Sequence, residues 1–249
     1  MNGQVRWGVL GGTSWIARDA IMPGIRKSRN GKLVATASRD PNGARRRFGD
    51  EPGVKIVSYD DLLADPDIDA IYIPLPNSMH GDWAIKCAAA GKPVLCEKPL
   101  GLDVADTMRI AAAFQKARLP LMESFMYRFH PQHARVRKII DSGAIGDVLE
   151  VRSHLSNNMM SPPDPKNVRL IPELGGGVLL DMGCYEISLG DTIRQALAAG
   201  VLDQLDVHVV PAMLGSGERL FGGTANVRLE QDRVIAAPRV THLRYRVVR

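Results

Sequence analysis

The residues most able to do chemistry stand at the end of a short apolar run, Gly91-Lys92-Pro93-Val94-Leu95-Cys96-Glu97-Lys98-Pro99-Leu100. Gly91 reads as a helix stop, Pro93 to Cys96 as a short buried strand, and Pro99 as the turn that holds the charged pair Glu97 and Lys98. An open parallel sheet presents its ligand crevice at the carboxyl ends of its strands, so an ionisable lysine arriving there is placed for chemistry. A Glu-Lys pair in a loop is also ordinary solvated surface, and the pair by itself does not separate the two readings. A second set follows the glycines of Gly175-Gly176-Gly177-Val178-Leu179-Leu180-Asp181-Met182-Gly183-Cys184-Tyr185. Glycines bring a chain close to a ligand, and on the ensuing helix Asp181 and Tyr185 are four apart on one face. The competing reading makes Asp181 a helix cap and Tyr185 a half-buried core residue.

Elements that could position these groups precede them in the chain. Val5 to Leu10 is an apolar strand running into Gly11-Gly12-Thr13-Ser14-Trp15-Ile16-Ala17, followed by an amphipathic helix pattern with Ile16, Ala20 and Ile21. Strand, glycine turn and helix form the setting in which a dinucleotide diphosphate lies on backbone N–H groups, so Gly11, Gly12, Thr13, Ser14, Trp15 and Ile16 are expected cofactor contacts. The G-x-G-x-x-G/A spacing is met by Gly12, Ser14 and Ala17, with Ser in place of the second glycine. Leu33 to Ser38 is the second strand, and the adenosine ribose would lie at its end. There the chain reads Ser38-Arg39-Asp40, with Arg45-Arg46-Arg47 one helical stretch later. A hydroxyl and a guanidinium suit a 2′-phosphate, which favours NADP over NAD; Asp40 is the feature that favours NAD. A phosphate-bearing cofactor also accounts for the arginine cluster.

Further strands are expected at Val54 to Val57, Ile68 to Ile73 and Pro120 to Glu123. Helices are expected at Tyr59 to Leu63, Trp83 to Ala90, Val104 to Ala117 and Pro131 to Ile140. Asp103 would cap the helix from Val104, whose buried side reads as Val104, Met108, Ala111, Ala112 and Phe114. Asp147 to Leu155 alternates as the first strand of a second, antiparallel sheet, and the polar loop from Asn157 to Pro172 is long enough to suggest binding.

At 249 residues the chain can bury a substantial core in two units. With 45% hydrophobic and 24% charged residues it has an ordinary globular composition, with no apolar run of membrane-spanning length and no signal-peptide pattern, so a cytoplasmic protein is expected. The net charge of +5 comes from scattered arginines without aromatic platforms, which argues against nucleic acid. Cys87, Cys96 and Cys184 lack metal-type spacing and read as reduced core thiols.

The stretch around Glu97-Lys98-Pro99, with its lead-in Ala88-Ala89-Ala90-Gly91-Lys92-Pro93-Val94, resembles the Glu-Lys-Pro motif of the glucose-fructose oxidoreductase and inositol dehydrogenase (Gfo/Idh/MocA) family. Phe125-Met126-Tyr127-Arg128-Phe129-His130-Pro131 is similar to the dihydrodiol and xylose dehydrogenase branch. The resemblance implies a nicotinamide-dependent oxidoreductase acting on the CH–OH group of a sugar or cyclic diol. It implies catalytic roles for Lys98, Asp181 and Tyr185, cofactor contacts from Glu97 and Lys98, and a nicotinamide-ribose loop through Pro74, Asn77 and His80. For His80 a place at the helix start is an equal alternative. Tyrosine and lysine both titrate near pH 10, so Tyr185 needs a nearby cation to act at neutral pH, and Lys98 could supply it.

The resemblance is read to about residue 188. The tail, with Val209-Val210-Pro211-Ala212-Met213-Leu214-Gly215-Ser216-Gly217-Glu218-Arg219-Leu220-Phe221, resembles the carboxy-terminal part of the dihydrofolate-reductase-like, riboflavin-pathway reductase domain, with a junction near 186–191. The expectation is thus an α/β chain. A Rossmann-type parallel sheet domain at 1–124 leads to a truncated α+β substrate domain at 125–189 and a β-rich tail at 190–249. Its partners would be a small sugar or diol substrate and further copies of itself through the sheet face, without membrane, nucleic acid or metal. Strand Val148 to Leu155 and the tail strands have each lost neighbours and could pair with each other.

Overall fold

Short apolar runs separated by helices build one parallel sheet in the computed structural model of the chain, which describes residues 3–146, 166–177, 179–185 and 188, and the backbone of strands at 204–209, 228–237 and 240–248. Strands β1 (Val5–Leu10), β2 (Gly31–Ala37), β3 (Lys55–Val57), β4 (Ala70–Ile73), β5 (Val94–Cys96) and β6 (Leu121–Glu123) lie in the order β3-β2-β1-β4-β5-β6. Every neighbouring pair is parallel. The order reverses between β1 and β4, and at such a switch point a crevice opens outside the carboxyl ends of the strands. This is the expected α/β Rossmann-type sheet.

Helices α1 (Met22–Lys27), α2 (Pro41–Phe48), α3 (Tyr59–Ala64), α4 (His80–Ala89) and α5 (Val104–Ala117) connect the strands. Every residue of β4 is buried, as befits a parallel strand covered on both faces. Leu10, Leu62, Ile68, Ile71, Ile73, Cys87, Cys96, Ile110 and Phe114 form one packed cluster, and Val9, Ala17, Met22, Ile25, Leu33 and Tyr72 form another. Asp40, Ser58 and Asp103 accept the N–H groups of Gly43, Asp61 and Asp106, capping α2, α3 and α5.

Two helical faces differ from the sequence expectation. Between Ala17 and Ile21 the first helix widens into a π-turn, so the buried side runs through Ala17, Met22 and Ile25 while Ala20 is exposed. The extra residue per turn rotates everything after it. On α5 the buried residues are Ile110 and Phe114, whereas Val104 and Met108 are 58% and 64% exposed. That helix carries two apolar stripes, and the one with the larger side chains faces the core.

The chain divides into two compact units, Met1–Ser124 with Pro163–Asp181, and Phe125–Pro162 with Met182–Arg249. Residues 163–181, expected in the second domain, are grouped with the sheet unit. The second unit contains α6 (Pro131–Asp141) and an antiparallel sheet of β7 (Gln204–Val209), β8 (Arg228–Ala237) and β9 (Val240–Val248) in the order β7-β9-β8. Leu205 and Val207 pair with Tyr245 and Leu243, and Leu229 and Val234 pair with Val247 and Leu243. On β8 this apolar row is interrupted by Gln231, which stands opposite Tyr245 where the register shifts. The expected strand at 148–155 and its pairing with the tail lie outside the described residues.

Gly11 has φ +115°, and a Cβ on Gly12 would stand 2.6 Å from Thr36 Cβ on β2. The turn after β1 can pass over β2 only without side chains. Gly12→Ala should therefore lower stability by about 1–3 kcal/mol, the usual range for overpacking a rigid contact, as a shift in the urea midpoint at unchanged slope.

Candidate active site

Lys98 stands two residues past the end of β5 and its side chain is only 12% exposed. A lysine so enclosed needs an anionic partner, and Asp181, 15% exposed, supplies it: Nζ lies 3.0 Å from Oδ1 and also donates to the Asp181 carbonyl. The other carboxylate oxygen, Oδ2, accepts from Arg169 Nε at 2.9 Å. Asp181 is thereby shared by two cations. Arg169 also places its guanidinium carbon 5.8 Å from the centre of the Trp15 ring. Trp15, 57% exposed, opens the helix that follows the glycine turn. Residues from 166 to 181 thus meet the ends of both β1 and β5.

Glu97, beside Lys98, is held from behind. Its N–H donates to Ile73 O at 3.0 Å, and its Oε1 accepts from the phenol of Tyr72 at 2.7 Å. Tyr72 lies in the otherwise apolar β4 and is completely buried. Among the described residues, Glu97 Oε2 has no hydrogen-bond partner.

The loop after β4 behaves differently from expectation. Asn77, expected at the cofactor, donates its amide to Gly175 O at 2.8 Å. Gly175 has φ +74°, and a Cβ there would lie 2.8 Å from Asn77 Cβ. The glycines therefore bring the chain against the loop after β4. Pro74 and Leu75 pack beside Gly11, where an added Cβ would stand 3.5 Å and 2.9 Å from them. His80, for which a cofactor contact and a place at the helix start were equal alternatives, is the first residue of α4. Its ring is fully buried, with Nδ1 2.8 Å from Pro99 O and Nε2 2.9 Å from Leu75 O. Burial of the ring pushes its pKa below the ordinary histidine value, against the pull of the two carbonyls and Glu97. A neutral imidazole donates at one nitrogen only, so His80 braces the Lys98 turn against the loop after β4 through one donated bond at a time.

At the end of β2 a cleft of about 110 Å³ is lined by Gly12, Thr13, Thr36, Ser38, Ala44 and Phe48. Ser38 Oγ accepts from Asp40 N at 3.2 Å, and the Asp40 carboxylate is turned into α2 as its cap. Arg39 is exposed and makes no hydrogen bond or ion pair among the described residues; its charge lies near Tyr59. The arginine cluster is used internally more than expected. Arg45 pairs with Asp50 at 2.8 Å, and Arg46 lies 3.6 Å from Asp40.

Tyr185 belongs to the second unit. Its ring stands edge-on to Phe125 and Tyr127, with centroids 5.5 and 6.0 Å away, and its hydroxyl donates to Met126 Sδ at 3.3 Å. Tyr127 and Arg128 both bond Ser188 Oγ. The Phe125-to-Phe129 run, expected to line the substrate side, thus packs directly on Tyr185.

Arg169 and Tyr72 were not singled out from the sequence. A tyrosine in a strand covered on both faces needs a buried acceptor, which is a legible signal; Arg169 in a polar loop carried none. Tyr72→Phe should cost about 1.5–3 kcal/mol, the range for a hydrogen bond to a charged group, read as a lowered urea midpoint. An unchanged midpoint would show that Glu97 does not depend on Tyr72.

Residues 5–125 match the oxidoreductase family with NAD-binding Rossmann fold (GFO/IDH/MocA), and residues 133–205 match the GFO/IDH/MocA C-terminal domain. The second match passes the change of family expected near 186–191. An uncharacterised oxidoreductase of Rhizobium meliloti is 41% identical over 88% of this chain and 65% of its own length. The NADP-type D-xylose 1-dehydrogenase 2 of Haloferax volcanii is 37% identical over 91% of this chain and 69% of its own. A 3-ketoreductase from Actinomadura kijaniata, solved with NADP and TDP-benzene, superposes with a TM-score of 0.63 at 33% identity, covering 84% of this chain and 61% of that one. The chain thus spans about two thirds of the length of these relatives. With the parallel sheet, the glycine turn and the Lys98 turn in place, these matches show that the chain belongs to the GFO/IDH/MocA oxidoreductase family.

Proposed function

We propose that the chain binds NADP and serves an oxidoreductase reaction on the CH–OH group, or the corresponding carbonyl, of a sugar or cyclic diol. The observation that carries this reading is the enclosed Lys98–Asp181 pair at the carboxyl end of β5, in the same unit as the glycine turn. When bound, the nicotinamide supplies or accepts the hydride. Gly11 to Ile16 would hold the diphosphate, with Ser38 and Arg39 at the adenosine 2′-phosphate. Pro74 and Asn77 would flank the nicotinamide ribose by shaping the loop after β4. The unpartnered Oε2 of Glu97 would accept a hydrogen bond from the cofactor.

Lys98 holds a positive charge beside the reacting oxygen, and Asp181 fixes its ammonium in position. Tyr185 is the group assigned to exchange the hydroxyl proton. NADP is favoured over NAD because Asp40, the acidic residue next to Arg39, is engaged as a helix cap, while Arg39 makes no hydrogen bond or ion pair among the described residues. The Haloferax relative is named for NADP, and the Actinomadura enzyme was solved with it. That enzyme was also solved with one lysine changed to alanine or glutamate and one tyrosine to phenylalanine. The dihydrofolate-reductase-like resemblance is left with residues 206–249 and contributes no cofactor cradle to the site.

NADPH should bind more tightly than NADH by roughly ten- to a hundredfold, from about 1.5–3 kcal/mol of charge-assisted bonding, in a fluorescence titration. Arg39→Asp should erase or reverse the preference, and unchanged selectivity would remove Arg39 from the site. In a panel of xylose, glucose, inositol and diols, Tyr185→Phe should keep cofactor affinity and lose about 10²–10⁴ in turnover. Lys98→Ala should likewise spare binding and lose turnover. NADPH binding without turnover of any of these by the parent would reduce the chain to a nucleotide-binding module.

A further inference from the structure

The Tyr185 hydroxyl donates its hydrogen bond to a sulfur, Met126 Sδ, at 3.3 Å. Its ring is set from the sides by Phe125 and Tyr127, and Tyr127 is itself held through its own hydroxyl at 2.8 Å from Ser188 Oγ. A thioether is a weak acceptor, so Met126 gives the phenol a direction and is readily exchanged for a substrate oxygen. Met126 differs from its neighbour in one respect: Phe125 is 8% exposed, whereas Met126 is 62% exposed. The sulfur that seats the phenol thus belongs to a residue open to water.

Sulfur is the atom of methionine that two-electron oxidants attack. Its lone pair takes one oxygen of a peroxide, the O–O bond breaks, and the remaining oxygen leaves as water. The thioether is oxidised to the sulfoxide, hydrogen peroxide is reduced, and no net proton is released. The new oxygen is a strong acceptor, and it needs space. An O–H···O bond by itself takes about 2.7 Å between oxygens. An oxygen added on the phenol side of Sδ therefore cannot fit within the 3.3 Å that separates Sδ from the Tyr185 oxygen. The phenol must move to bond it, and its proton is then held more tightly than by sulfur. Added on the far side, the oxygen leaves a positively polarised sulfur that no longer accepts the proton. In both sulfoxide epimers the seat of Tyr185 is lost.

We propose, on the proton-exchanging role given to Tyr185 above, that Met126 is a reversible oxidation site that sets the activity of that tyrosine. As the thioether Met126 is a positioning residue for the phenol, and as the sulfoxide it displaces the phenol. The reagent is a peroxide or another two-electron oxygen donor. A thiol-dependent methionine sulfoxide reductase reverses the step, the oxygen leaving as water while two thiols become a disulfide.

The test is limited hydrogen peroxide treatment of the full chain, followed by peptide mass spectrometry and turnover of the sugars and diols. Oxidation of Met126 should lower turnover by roughly tenfold or more, within the range by which a proton-exchanging group contributes. The reductase should restore both the peptide mass and the turnover. Met126→Leu should lose the sensitivity to peroxide, measured as treated over untreated turnover of the same variant. Met126→Gln, whose amide oxygen imitates the sulfoxide, should be slow before any treatment. Met108, 64% exposed on α5, is the control, and Met108→Leu should remain as sensitive as the parent. Full turnover with Met126 oxidised would overturn the proposal. So would a Met126→Leu variant that peroxide still inactivates, or turnover that stays low after the reductase has removed the oxygen. Absence of turnover in the untreated parent would instead sink the CH–OH reaction proposed above. The seat is then read by NMR of isotope-labelled tyrosine, where the signal that Tyr185→Phe removes should shift on oxidation of Met126. A signal that stays in place would overturn the role of Met126 by itself.

Discussion

The ion pair between Lys98 and Asp181 is the constraint on which the site depends. Both groups are largely withdrawn from water, and a charge in that position is tolerated only when its partner is held in good geometry. Each partner is held by a different device. Lys98 sits on a turn braced by the buried ring of His80, which lies between Leu75 O and Pro99 O. Asp181 is gripped on its second oxygen by Arg169. Glu97, one residue before Lys98, is oriented by Tyr72 from inside the sheet. Charged groups are thus placed by neighbours that are themselves buried or paired.

Close backbone approach makes this arrangement possible. Gly12 lets the turn after β1 lie on Thr36, and Gly175 lets the later segment lie on Asn77. A methyl group at either place would push apart the elements that bring Trp15, Lys98 and Asp181 within reach of one another. Both approaches occur at the carboxyl ends of strands, where the reversal of strand order opens the crevice.

Electrostatics at the adenosine end follow from helix capping. Asp40 and Arg39 are adjacent in sequence and would send opposite messages to a ribose 2′ position. Because α2 starts at Pro41, the Asp40 carboxylate accepts the Gly43 N–H, and Arg39 is left without an internal partner among the described residues. The helix start thereby gives Asp40 an internal partner, although both side chains stay exposed. Arg45, which looked equally suited to a phosphate, is paired with Asp50.

Much of the sheet unit was legible from local pattern. Val5–Leu10 was read to the residue, and β4 was recognisable by its unbroken apolar run, because strands buried on both faces need no alternation. Asp103 and Gly91 marked helix ends through chemistry confined to a few residues. The family resemblance was carried by the Glu97-Lys98-Pro99 turn and the Phe125-to-Pro131 run, both short contiguous motifs. What the tertiary structure decided was everything that joins residues far apart in the chain or chooses between equivalent local patterns. On α5 the sequence placed Phe114 on the buried side together with Val104 and Met108, and packing on the sheet buries Ile110 with Phe114 instead. His80, Asn77 and Arg169 are polar side chains whose partners lie 19, 98 and 12 residues away, at Pro99, Gly175 and Asp181. Periodicity reports the face of an element, whereas a hydrogen bond between loops exists only once the sheet has brought their ends together.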